Sequence, residues 1–139
     1  MAKQTVADVM TPAPITVDGT ETLRAAARSM AEHDVGVLVV RAGPTAVGLV
    51  TDRDLVVRGL AAGLDADATV QEVTSDKVIT VGVTDPVETV VEVMRAAAVR
   101  RAPVLDGSVL AGIVSIGDLA VERDPDSALA DISRAQPNR

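Results

Sequence analysis

The 139-residue chain contains no Phe, Tyr or Trp. No aromatic ring is therefore available to stack a nucleobase, and the core has to be filled by Val, Leu, Ile, Ala and Met. It contains no Cys either, which excludes disulfides and thiolate zinc sites and gives no pointer to an oxidising compartment. His33 is the only His and sits near the polar end of a helical pattern, so it reads as a solvated or dipole-favoured side chain rather than a metal ligand. The formal net charge is −7 and no Lys/Arg-rich run is present, which argues against nucleic-acid binding but leaves room for a small anion at one or two Arg residues. No apolar run approaches the roughly 20 residues of a membrane helix. The opening MAKQTVADVM lacks the apolar core of a signal peptide. The expectation is a cytoplasmic protein with no membrane partner.

What is present is a globular composition, 47 % hydrophobic, and a repeat. Shifted by 64 positions, the two halves align without a gap. Val6-Ala7-Asp8-Val9 falls on Val70-Gln71-Glu72-Val73, Ile15-Thr16-Val17 on Ile79-Thr80-Val81, and Met30 on Met94. GLVTDRDL at 48–55 meets GIVSIGDL at 112–119. A long, gapless period signals duplicated supersecondary units.

Each unit predicts a short apolar lead, a brief strand (15–17; 79–81), a turn and a helix. Leu23, Ala26, Ala27 and Met30 fall at helical spacing, as do Val87, Val90, Val91 and Met94, giving each helix one apolar face with its Met in the core. Thr20 and Thr84 are candidate N-caps, and Pro86 fits just inside the second helix. Strands follow at 36–41 and 46–51, and again at 101–105 and 109–115, with Asp106-Gly107 as a hairpin signal. A last helix starts at each Thr/Ser-x-x-Asp. The fold class is α/β (α+β): two tandem β-α-β-β-α units, 5–64 and 69–122, packed sheet against sheet as a pseudo-two-fold module. Residues 123–139 form a polar tail with a short helix-like ADIS, expected to fray.

The Thr51-x-x-Asp54 and Ser115-x-x-Asp118 turns admit two readings. One is a capping box, the hydroxyl bonding an early helix N–H and the acid bonding back, although Asp is shorter than the preferred Glu or Gln and should reach less well. The other is ligand chemistry: a carboxylate can accept hydrogen bonds from two vicinal ribose hydroxyls, and a helix N-terminus suits a nearby phosphate. Asp65, Asp67, Asp76 and Asp85 are scattered through turns and read as solvated.

The duplicated pattern resembles a pair of CBS (cystathionine-β-synthase) domains, a Bateman module. The resemblance is carried by VADVMTPAPITV, HDVGVLVV, VGLVTDRDLVVRGLAAGL and VRRAPVLDGSVLAGIVSIGDL, and it covers residues 5–122. The length and the TDRDLVVRGLAAGLD stretch are similar to stand-alone CBS-pair proteins of the actinobacterial hypoxic-response type. It implies a homodimeric regulatory module that requires no cofactor. Such a module binds AMP, ADP, ATP or S-adenosylmethionine between its units and signals to an effector protein.

By motif match, the resemblance puts Asp54 with Thr51, and Asp118 with Ser115, on the ribose. It sets the backbone of Thr16-Val17 and Thr80-Val81, with Ile15 and Ile79, along the adenine, and Arg100 and Arg101 near phosphate. As neighbours on a strand, at most one of that Arg pair should face a ligand. The first unit has Gly36-Val37 there and offers Arg53 inside its motif instead, with Asp52 beside it, so the two sites are unequal. A dimeric interaction protein that binds no nucleotide remains the rival. No activated nucleophile or P-loop supports an enzyme.

Overall fold

The β-branched runs VLVVRA and TAVGLVT form two antiparallel strands, and their echoes RAPVLD and VLAGIVS form two more. The computed structural model describes residues 4–75 and 78–123. The chain order begins α1 (Val6–Val9), β1 (Thr11–Pro12), β2 (Thr16–Asp18), α2 (Leu23–His33), β3 (Val37–Ala42) and β4 (Thr45–Thr51). A single turn α3 (Asp52–Asp54) runs into a π-helical stretch, Leu55–Leu60, and a 3₁₀ turn follows at Val70–Glu72. The second copy is β5 (Val81–Gly82), α4 (Val87–Ala97), β6 (Arg101–Asp106), β7 (Val109–Ser115) and α5 (Ile116–Arg123). The mixed α/β class and the doubled β-α-β-β-α order are those expected; the polar tail beyond 123, like Asp76, lies outside the described residues.

The chain forms two compact units, one of residues 15–78 and the other of 4–14 with 79–123. The first carries a three-stranded sheet ordered β2-β3-β4, with β2 parallel to β3 and β3 antiparallel to β4. The second carries a four-stranded sheet ordered β1-β7-β6-β5. Both hairpins turn on a glycine with positive φ, Gly43 at +61° and Gly107 at +64°. Both inner strands also shift register at the same place, between Val40 and Arg41 and between Val104 and Leu105.

The compact units are out of step with the sequence repeats, and the reason is packing. Val6 of the first repeat is fully buried in the cluster of Val81, Val87, Val90 and Met94. Val70 of the second repeat is fully buried with Val17, Leu23, Met30 and Leu38. Backbone bonds fix the exchange with matching geometry. Val6 N–H donates to Asp85 O at 2.9 Å, and Val70 N–H to Glu21 O at 2.8 Å. Ala7 N–H donates to Val83 O at 3.1 Å, and Gln71 N–H to Gly19 O at 3.0 Å. Each buried Val removes apolar surface worth roughly 1.5–3 kcal/mol, so neither lead segment is an optional extension.

Two local expectations need correction. The N-cap of α2 is Thr22, whose hydroxyl accepts from Ala25 N–H at 3.0 Å, not Thr20. Thr20 instead donates to Asp18 Oδ1, from its N–H at 2.9 Å and its hydroxyl at 2.7 Å. In the second unit Pro86 itself is the N-cap of α4, two residues after the expected cap Thr84. The π-helical stretch was not legible from periodicity. There, Gly59 is buried where a Cβ would meet Leu23 Cδ1 at 3.1 Å, which lets the wider turn lie against α2. Met30 and Met94 are core residues as expected.

Two outcomes test this packing. A Cβ at Gly112 would lie 2.6 Å from Met10 Sδ and 2.7 Å from the backbone oxygen of Thr11. Gly112→Ala should therefore disrupt the β1–β7 pairing and cost about 1–3 kcal/mol in urea unfolding. At Gly48 the obstacle is the Thr74 methyl, which can turn aside at the expense of its hydroxyl bond to Val70 O, so Gly48→Ala should cost less, about 1 kcal/mol. The reverse ranking would contradict the argument. The backbone N–H and then the hydroxyl of Thr20 hold the Asp18 carboxyl below its usual value. A depressed folded-state pKa contributes stability that is present above the unfolded value and lost as pH falls through the folded one. Thr20→Ala should accordingly raise the Asp18 pKa in a carboxyl NMR titration. Its stability deficit should shrink as acid protonates Asp18.

Candidate functional site

Both Thr/Ser-x-x-Asp turns lie where the last strand of a sheet passes into a helix. In the unit of residues 15–78, Thr51 N–H donates to Asp54 Oδ2 at 2.8 Å, and Asp54 N–H donates to Thr51 Oγ1 at 3.1 Å. In the other unit Ser115 N–H donates to Asp118 Oδ2 at 2.9 Å, and Asp118 N–H to Ser115 Oγ at 3.1 Å. The capping-box reading is therefore realised in both copies, and Asp reaches the N-cap amide at full hydrogen-bond strength, contrary to the concern over its length. Each Asp is half-buried and commits only Oδ2; Oδ1 bonds nothing among the described residues.

Two further boxes went unnoticed in the sequence. Thr5 N–H donates to Asp8 Oδ2 at 3.0 Å, and Thr69 N–H to Glu72 Oε2 at 2.7 Å, each opening a lead segment. Thr-x-x-acid before an apolar residue was the available signal. The chain thus uses one local device at four helix starts, and a box alone does not mark a ligand site.

The remaining candidates divide by unit. Thr16 begins β2 and Thr51 ends β4, at the same end of one sheet, since Thr16 pairs with Val39 and Thr51 with Val37 on the intervening β3. The side chains of Val17 and Val81 are buried in the cores, so only their backbone can meet a ligand. β2 and β5 are edge strands of their sheets, leaving one side unpaired by a neighbouring strand. Thr80 is exposed and precedes β5.

Arg53 is exposed beside Asp54, with its N–H held by Asp52 Oδ1 at 2.8 Å. Arg101 and Ser115 are paired across β6 and β7, which brings Arg101 to the motif turn. Arg100 instead lines an apolar groove of about 470 Å³ against α4 and α5, with Met94, Val99 and Ile116. One Arg of the adjacent pair therefore stands at the turn and the other lies along the helices. The first unit has a corresponding groove of about 360 Å³ along α2, lined by Leu23, Ala27, Val56 and Leu60.

Among the described residues no group of three or more His, Cys, Asp or Glu could hold a metal ion. His33 Nδ1 lies 2.9 Å from Ser29 O in the last turn of α2. No helix of the described residues is long and apolar enough to cross a membrane.

Two units of this topology, each with a Ser/Thr-x-x-Asp turn where its last strand passes into a helix, define a CBS-domain pair. The CBS domain model matches residues 6–59 and 70–123, and the chain belongs to that family of regulatory modules. It is 38 % identical over 133 residues to Hypoxic response protein 1 of Mycobacterium tuberculosis, covering 94 % of this chain and 92 % of that protein. A crystal structure of Hypoxic Response Protein I with two coordinated zinc ions matches 86 % of this chain and 98 % of its own, at 39 % identity and a TM-score of 0.75. The CBS-domain pair of protein MJ0100, in complex with 5′-methylthioadenosine and S-adenosyl-L-methionine, shares the fold at 24 % identity and a TM-score of 0.76. It covers 91 % of this chain and 100 % of its own.

The boxes give a direct expectation. Thr51→Ala and Ser115→Ala should each cost about 1 kcal/mol, within the 0.5–2 range of lost N-caps, when unfolding is followed by far-ultraviolet circular dichroism.

Proposed function

We propose that the chain is a regulatory CBS-pair protein that binds an adenosine-containing ligand, of the AMP, ADP, ATP or S-adenosylmethionine class, at its motif turns. The carrying observation is the identical geometry of Asp54 and Asp118: one carboxylate oxygen is tied into the turn and the other is left to accept from ribose hydroxyls. The tie pre-orients the carboxylate, so little rotamer freedom is lost on binding. Thr51 and Ser115 flank the ribose. Arg53 in one unit and Arg101 in the other supply the cation for a phosphate, and the β2 and β5 edges at Thr16-Val17 and Thr80-Val81 supply backbone donors and acceptors for the base. Adenosyl binding by a protein of the same fold agrees with this chemistry, though that likeness is one of fold. No resident cofactor is needed; the ligand is the signal, read by an effector protein.

A second reading, a dimeric interaction protein that ignores nucleotide, draws on the apolar helix faces. Leu60 is 74 % exposed and Val56 56 %, and Ile116, on the other unit, is 50 % exposed. Faces of this kind suit a homodimer under either reading.

Calorimetry with AMP, ADP, ATP and S-adenosylmethionine separates the two. At least one should bind below millimolar, and Asp54→Asn with Asp118→Asn should weaken it by about tenfold or more while the amide oxygen preserves the cap. Asp8→Asn, in a box with no proposed ligand, should leave affinity unchanged. Without aromatic residues the protein is almost transparent where adenine absorbs, so co-purified ligand can be read from an ultraviolet spectrum. Absence of any binding, or full affinity in the double variant, would leave the interaction-protein reading standing.

A further inference from the structure

In the unit of residues 15–78, a polar pocket of about 620 Å³ opens where β2 ends and β3 turns into β4. Asp18, Thr20, Arg41, Gln71 and Thr74 line it, away from the Thr51–Asp54 turn at the other end of the sheet. Arg41 sits at the register shift of β3 and is half-buried; its Nε is sealed from solvent and has no partner among the described residues.

Asp18 and Arg41 are register partners on adjacent parallel strands, yet no ion pair joins them among the described residues. Asp18 Oδ1 is occupied by both donors of Thr20, and Oδ2 carries no bond among the described residues.

The duplicated unit serves as an internal control. At the positions 64 residues away, Asp18, Arg41, Gln71 and Thr74 are replaced by Gly82, Leu105, Ala7 and Met10. The second unit keeps the corresponding strands in the order β5-β6-β7, with the same bulge and glycine turn, without any of these polar groups. The fold therefore does not require them, and the charged set is particular to one copy.

We propose that this pocket binds a small zwitterion of the α-amino-acid class, its carboxylate on the Arg41 guanidinium and its ammonium on Asp18. The planar guanidinium of Arg41, which lines the pocket, suits a carboxylate, while Asp18 is an acceptor-only group facing the same space. With one charge of each sign the pocket is neutral, which matches a zwitterion and disfavours a polyphosphate. Its residues are disjoint from Thr51, Asp54, Ser115 and Asp118, so it stands whether or not the adenosyl reading does.

The test is amide NMR of the intact chain titrated with the proteinogenic amino acids, with acetate, methylammonium and inorganic phosphate as partial probes. At least one amino acid should shift the amides of Thr20, Gly43 and Gln71 saturably, with acetate and methylammonium weaker by about tenfold. Arg41→Leu should abolish the response and Asp18→Gly should weaken it by about tenfold; both introduce the residue that the other unit carries, and unchanged resonances elsewhere report an intact fold. No saturable shift up to about 50 mM, tighter binding of phosphate than of any amino acid, or equal response in Arg41→Leu would each overturn the proposal.

Discussion

The structure depends on an exchange of lead segments between the two repeats. Val6 and Val70 stand at matching positions, and each completes the core built from the other repeat's strands and helix. Without it, each core would lose a fully buried Val and the adjoining backbone bonds, in a chain that has no aromatic side chain to fill the gap. The exchange also explains the glycines at 48 and 112. A lead segment crosses close to the last strand in each unit, where Thr74 and Met10 lie against the Gly48 and Gly112 positions and leave no room for a Cβ.

On this frame the two oxygens of each motif carboxylate are placed differently. Oδ2 closes the helix start, and Oδ1 is held at a fixed orientation beside it. The capping and ligand readings, which compete when only residue types are considered, are compatible in three dimensions. The boxes at Thr5–Asp8 and Thr69–Glu72 set the limit of that argument, because they have the same local bonds in segments whose role is to pack. What distinguishes Asp54 and Asp118 is position, at a sheet end beside an edge strand and an exposed Arg.

Duplication has preserved the frame and let the surfaces diverge. Arg41 faces a polar pocket where Leu105 stands in the other copy, and Arg101 stands where the other copy has Val37. The last helix differs as well, being π-helical over Leu55–Leu60 in one unit and α-helical over Ile116–Arg123 in the other. A shared β-α-β-β-α plan with unequal side chains is what makes one unit a control for the other.

The sequence by itself determined the doubled β-α-β-β-α order, the core helix faces through Leu23, Ala26 and Met30 or Val87, Val90 and Met94, and the Gly107 turn. These follow from local rules, namely side-chain period, β-branching and the φ freedom of glycine. It also located the two motif turns, because a repeat exposes them. Tertiary structure decided what local rules leave open. Thr22 rather than Thr20 caps α2, because Asp18 draws Thr20 into its own turn. The compact units are not the repeats, because a buried Val gains as much from a neighbouring repeat's sheet as from its own. Arg100 and Arg101 part company because one precedes the strand and follows the helices, while the other pairs across it. Burial is non-directional and acts between residues far apart in sequence, so only the assembled chain could assign it.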